Sequence, residues 1–230
     1  MLLASVGSLP TRGGPEQYPH SHIEHWLREL LLLGYKVIGT GEPGGLRRYG
    51  MIERFSQDLG GLEVRQMGAQ YRTVVAGSIE PPGNPLAVSE VVENRLLRSL
   101  IDQPEVQVKA TVTDPVTLAL ELLANTPGAG RTHPNIFWEV TYALKPIVEA
   151  LGHVVDIIQF DCPSHLYQPT RAPLEYVNAL VEHTGGKPSW MHLDGPVGRS
   201  WRDLLAEYRA ETLVLNLFGA EEEENFKALT

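Results

Sequence analysis

Short apolar runs bounded by glycine or proline alternate along the chain with segments in which apolar residues recur at helical spacing. Six runs read as strands: Leu2 to Val6, Lys36 to Gly39, Val106 to Val112, Val154 to Phe160, Ser189 to Leu193, and Thr212 to Leu217. Each is nearly continuous in Val, Ile, Leu and Thr, as strands covered on both faces are. Between the first two, Ile23, Trp26, Leu27, Leu30 and Leu31 fall on one helical stripe, and Gly34 is placed to end the helix. Further helices are expected at 86–101, 134–151, 171–184 and 199–208. Leu62 to Gln66 and Arg72 to Ile79 read as an inserted antiparallel hairpin, closed by Pro81, Pro82 and Gly83.

This order predicts an α/β fold with a parallel sheet and outer helices, in the manner of a TIM-type β/α barrel. The 230 residues suffice for one full-sized core, so residues 1–230 are expected to form a single domain. A closed eight-stranded barrel needs two more strands than the six runs supply. After Leu217 there is only an acidic segment, expected to be helical, from Ala220 to Leu229. The barrel is therefore expected to be incomplete, either open at its edge or completed by another chain, which makes a homo-oligomer or a partner subunit the expectation.

Composition narrows the function classes. Hydrophobic residues at 43% and charged residues at 20% are ordinary for a globular protein and exclude a disordered chain or a disulfide scaffold. A formal charge of -9 repels phosphate backbones, which argues against nucleic acid as a partner. Cys162 is the sole cysteine, so no intrachain disulfide can form and no multi-cysteine metal site can be built from this chain alone. Met1 to Val6 lacks a basic leading segment and soon meets Gly7 and Pro10, so it reads as a strand rather than a signal peptide, and the expected location is cytoplasmic.

Polar residues cluster where barrels carry their chemistry, at the carboxyl ends of strands. Ser8 follows the first run, Glu42 the second, Asp114 the third, Asp161 and Cys162 the fourth, His192 and Asp194 the fifth, and Asn216 the sixth. Asp, Asn and Ser also favour such positions as helix caps and turn residues, so each taken singly is as well explained by local structure. Carboxylates gathered at one mouth can bind an ammonium group, ligate a metal or act as acid and base. His192 and Asp194 alternate along a strand and so share a face, with Cys162 as a third candidate ligand; the competing readings are a hydrogen-bonded pair and a buried thiol. His20, His22 and His25 and the run Glu221 to Glu224 read as solvated surface, and Trp190 and Trp201 as packing residues. Arg47 and Arg48 are equally suited to a surface loop and to an anionic substrate group.

These residues resemble the cobalamin-independent methionine synthases. Gly7-Ser8-Leu9-Pro10 is similar to the family's GSFP strand end, and Thr40-Gly41-Glu42 with Arg48, Met51 and Phe55 to its DGE segment and the R-x-x-M that follows. Lys109 to Thr117 resembles KGMLTGPVT, Ile158 to Pro163 resembles IQIDEP, and His192-Leu193-Asp194 stands where the family has H-x-C. The likeness runs in one order from about residue 3 to 218. It implies a methyltransferase acting on a homocysteine- or methionine-like substrate, with Ser8, Glu42 and Asp161 holding the amino acid.

The departures bear on the cofactor. The family binds zinc through His, Cys, Glu and a second Cys; here His192 persists, Asp194 replaces the first Cys, and Asn216 stands where the Glu is expected. The family's zinc site is therefore not intact, and zinc, if bound, would rest on His192, Asp194 and Cys162. Folate is not expected, because Leu118 to Ala124 lacks the family's tryptophan segment. The chain looks like the short, core-only branch, for which a corrinoid protein or another methyl donor is the implied partner. Two other readings stand beside this one: a barrel using Asp114, Asp161 and His192 as metal-free acid and base groups, and a non-catalytic subunit completed by a partner.

Overall fold

A computed structural model describes residues 20–39, 51–68, 70–126, 133–163, 172–194 and 212–216. Among them, five parallel strands form one sheet in the order β1, β4, β5, β6, β7: β1 is Val37–Gly39, β4 Gln107–Thr113, β5 Ile157–Pro163, β6 Ser189–Asp194 and β7 Thr212–Asn216. Neighbours in this row follow one another along the chain once the inserted hairpin is set aside. Every pairing is parallel, so each connection crosses back over the sheet. The fold class is α/β, as the alternation of runs requires. The first expected strand, Leu2 to Val6, lies outside the described residues, as do the expected helix at 199–208 and the acidic segment after Leu217.

The helices are α1 (His20–Leu32), α2 (Met51–Ser56), α3 (Ser89–Leu100), α4 (Pro115–Asn125), α5 (His133–Gly152) and α6 (Ala172–Val181). Helix α1 ends as its sequence suggests: Gly34 takes a φ of +80°, and the amides of Gly34 and Tyr35 turn back to the carbonyls of Leu31 and Leu30. The core lies between the helices and one face of the sheet. Val108, Ala110 and Val112 of β4, Ile158, Phe160 and Cys162 of β5 and Met191 of β6 pack there with Leu118, Leu122, Ile136, Leu144 and Val177 of the helices. Each such side chain withdrawn from water contributes about 1.5–3 kcal/mol before conformational entropy is subtracted.

The expected hairpin is present as β2 (Gly60–Met67) and β3 (Gln70–Glu80), paired antiparallel. A bulge interrupts the register between Gly60 and Leu62, and Gly61 there has a φ of +72°. The hairpin docks on α4: Arg72 pairs with Glu121 at 2.9 Å, and the amide of Val75 donates to the Thr126 hydroxyl at 2.9 Å.

Three local readings are corrected. The expected run Val154 to Phe160 becomes a strand only from Ile157, because the amides of Val154 and Val155 are still bonded to the Leu151 carbonyl at the exit of α5. The single helix expected at 86–101 is a 3-10 turn at Pro85–Ala87 followed by α3. Two helices, not one, join β4 to β5, since α4 begins directly at Pro115. Among the described residues, no helix is long and apolar enough to cross a membrane.

Candidate functional site

The two faces of the sheet divide by residue parity. While Val108, Ala110 and Val112 meet the helices, Lys109, Thr111 and Thr113 stand on the opposite face. By the same alternation Gln159 and Asp161 of β5 stand there, beside Trp190 and His192 of β6. The register sets Thr113 beside Asp161 and Asp161 beside His192. Three neighbouring strands thus place polar side chains on one face, near their carboxyl ends.

These side chains form a continuous hydrogen-bonded line. The Lys109 ammonium donates from Nζ to Gln159 Oε1 at 2.6 Å, and Gln159 Nε2 donates to Asp161 Oδ1 at 2.8 Å. His192 Nδ1 lies 2.9 Å from the same Oδ1. A carboxylate oxygen accepts and does not donate, so Nδ1 carries the proton of that bond and His192 is held as the Nδ1–H tautomer or as the imidazolium. Asp161 Oδ2 accepts from no described residue, and the Asp161 side chain keeps 17% of its surface exposed, so this oxygen is the accessible acceptor of the group. The hydroxyl of Thr113, alongside Asp161, is buried and has no hydrogen-bond partner among the described residues.

Lys109 and Gln159 are each 1% exposed. Burial pushes the Lys109 ammonium down from its ordinary 10.5 to about 8, and the charge of Asp161 opposes that push. The Trp190 ring, with its centroid 5.8 Å from Nζ, adds a cation–π contact.

Asp114 is placed differently from the expectation of an acid/base group. It is wholly buried as the N-cap of α4: its side chain accepts from the amides of Val116 and Thr117 and from the Thr117 hydroxyl. Its own amide donates to the Asp161 carbonyl at 3.0 Å, which ties the end of β4 to the end of β5. The carboxylate is engaged in starting a helix.

Cys162, the residue after Asp161 in an extended strand, points to the helix-covered face, where it is 1% exposed within the core. Asp194 and Asn216 are paired in register at the ends of β6 and β7. Among the described residues, no group of three or more His, Cys, Asp or Glu side chains stands close enough to hold a metal ion. Ser8 and Glu42 lie outside the described residues, as do Arg47 and Arg48.

A cleft of about 430 Å³ lies at the opposite end of the strands, lined by Arg95, Arg98, His153, Asp156 and Lys187. It gathers around the Arg98–Asp156 ion pair of 2.6 Å and the exits of α3 and α5, where basic side chains complement helix C-termini. It belongs to the framework and not to the Asp161 site.

Sequence reasoning missed Lys109 and Gln159. Both carried a signal: a lysine and a glutamine in the middle of otherwise apolar strand runs are out of place unless they are paired.

The fold and the Asp161–His192 pair together define a β/α scaffold with a carboxylate–histidine site near the carboxyl ends of parallel strands. No family model matches the chain. A curated methionine synthase of Methanocaldococcus jannaschii is 24% identical over 148 residues, 64% of this chain and 43% of the relative. This chain therefore spans less than half of that relative's length. The solved structure of a B12-independent methionine synthase from Shewanella sp. W3-18-1, in complex with selenomethionine, matches with a TM-score of 0.67 at 16% identity, covering 92% of this chain and 72% of that one. The chain is thus similar in sequence to part of a methionine synthase, and it shares its α/β fold with the solved B12-independent one.

Proposed function

We propose that the chain is a methionine-synthase-like methyltransferase that takes a homocysteine- or methionine-like amino acid at the carboxyl ends of its parallel strands. The observation that carries this reading is the Asp161 carboxylate. One oxygen is held by Gln159 and His192, and the other accepts from no described residue. An ionised oxygen in a partly buried setting suits the α-ammonium of an amino acid, because the charge-assisted bond is strengthened where water is scarce. The likeness to a methionine synthase, and to a solved synthase holding selenomethionine, supports the same ligand class.

In this reading Asp161 pairs with the ammonium, and Ser8 and Glu42 complete the amino acid end as the motifs imply. His192, oriented through Nδ1, is the acid/base group of the site. In the transfer, the substrate sulfur bonds to the methyl carbon as that carbon's bond to the donor breaks, the electron pair leaving with the donor. The thiol must lose its proton for the sulfur to attack, which is the task a neighbouring imidazole is suited to.

Titration calorimetry of the protein with L-methionine and L-homocysteine tests the reading. Binding of either, weakened at least about tenfold by Asp161→Asn, is expected for the loss of a charge-assisted bond. No heat from either amino acid, or equal affinity in the variant, would sink it.

A further inference from the structure

Lys109 is a buried ammonium on a sheet face that reaches the candidate site only through other side chains. Burial of a cation is costly, and an apolar residue at this position would avoid that cost. What the lysine supplies is direction. An ammonium has only donors, so the amide of Gln159 must turn its carbonyl oxygen toward Lys109 and its NH₂ toward Asp161. That NH₂ and the ring N–H of His192 then converge on one carboxylate oxygen, Oδ1. Without the ammonium, the glutamine amide is free to present either end to Asp161, and its oxygen would repel the carboxylate.

We propose that Lys109 is a positioning residue: acting through Gln159, it fixes which oxygen of Asp161 the protein holds and which it presents to the ammonium of an α-amino acid ligand. The inference rests on the reading of Asp161 given above. Lys109 itself touches no substrate. It acts at one remove, across β4 and β5, with the Trp190 ring of β6 centred 5.8 Å from its Nζ.

The test is a double-mutant cycle on the whole protein with Lys109→Met, Gln159→Leu and the pair combined, read by calorimetry with L-methionine. A second readout is the proton NMR signal of the His192 ring N–H bonded to Asp161, which hydrogen bonding to a carboxylate shifts downfield. Each single variant is expected to weaken methionine about tenfold, and the combination to be no weaker than the worse single, since both break one line of contacts. The ring N–H signal is expected in the wild type and lost to exchange in Lys109→Met. Wild-type affinity with the signal intact in Lys109→Met would overturn the proposal, as would additive losses in the cycle. If the wild type binds no methionine, the ligand reading fails, and the ring signal alone decides the role of Lys109: lost in the variant, it stands; retained, it falls. Should Lys109→Met fail to fold, Gln159→Leu carries the same expectations.

Discussion

Replacing Lys109 by methionine is expected to abolish a rise in stability that the wild type gains as pH climbs from about 8 to 10.5. In the folded protein burial holds the Lys109 ammonium at about 8, with the Asp161 charge partly offsetting the effect; in the unfolded chain the group returns to its ordinary 10.5. Below pH 8 both states are protonated, and the folded state bears the full cost of the buried charge. Between pH 8 and 10.5 the unfolded state binds more protons than the folded one, so stability increases with pH; above 10.5 both are neutral and the cost is gone. At about 1.4 kcal/mol per pH unit, the gap amounts to roughly 3 kcal/mol.

Methionine removes the charge and keeps most of the apolar stem, but it leaves Gln159 Oε1 without its donor, a loss of about 1–3 kcal/mol for a buried acceptor. The two changes oppose each other at pH 7, where the variant should lie within about 2 kcal/mol of the wild type. The discriminating quantity is the difference between the two proteins across pH, measured by urea unfolding at half-unit steps from pH 7 to 10.5. Contributions common to the two proteins cancel in that difference. A wild-type advantage growing by about 3 kcal/mol over this window is expected. Parallel curves would show that Lys109 is solvated in the folded protein and would remove the basis for its buried contact with Gln159.

Asp114→Ala should lower stability by about 2 kcal/mol, through loss of a buried N-cap, while methionine affinity stays within about twofold of wild type; calorimetry and urea unfolding of the same preparation read both. A loss of binding with stability intact would return Asp114 to the reacting groups. Gly61→Ala puts a Cβ within 1.9 Å of the Ser78 carbonyl oxygen at a φ of +72°, so a loss on the order of 3 kcal/mol is expected, and a thermal midpoint unchanged to within a degree would contradict the bulge geometry. Cys162→Ala should cost about 1 kcal/mol as a small core truncation and leave the metal content of the purified protein unchanged, as mass spectrometry of the bound elements would show. A variant stripped of bound metal would reinstate the thiol as a ligand.

Much of the framework was legible because the pattern and the packing agree. A parallel strand covered on both faces must be apolar nearly throughout, and β4 and β6 fall within a residue of their expected ends. Helix α5, expected at 134–151, spans His133–Gly152 despite Pro146. What the pattern hid was the handover between elements. Val154 and Val155 are as strand-like as the residues after them, yet the last turn of α5 holds their amides, and that is decided by the helix's own hydrogen bonds and not by β propensity. Helix α4 was announced by a cap and a proline, Asp114-Pro115, but the same aspartate at a strand end also looked like chemistry.

That ambiguity shows how polar residues at strand ends divide, and parity is what divides them. Asp161 and Cys162 are adjacent in sequence and both lie within two residues of the end of β5. The pleat nevertheless sends one toward His192 and the other into the helix-packed core. Asp114 falls one residue beyond β4, where the chain has already turned into a helix, and its carboxylate is drawn to the unsatisfied amides of the first turn. Position at a strand end therefore nominates a residue, while its register with the neighbouring strand decides whether it reaches the site. The same rule finds Lys109, which sits at no strand end. It lies two residues before Thr111 and four before Thr113 on the face of Gln159 and Asp161, and a lysine on that face of a buried strand needs an acceptor within reach. Counting parity back from Asp161 through the register with β4 identifies such a residue from the strand pairing alone.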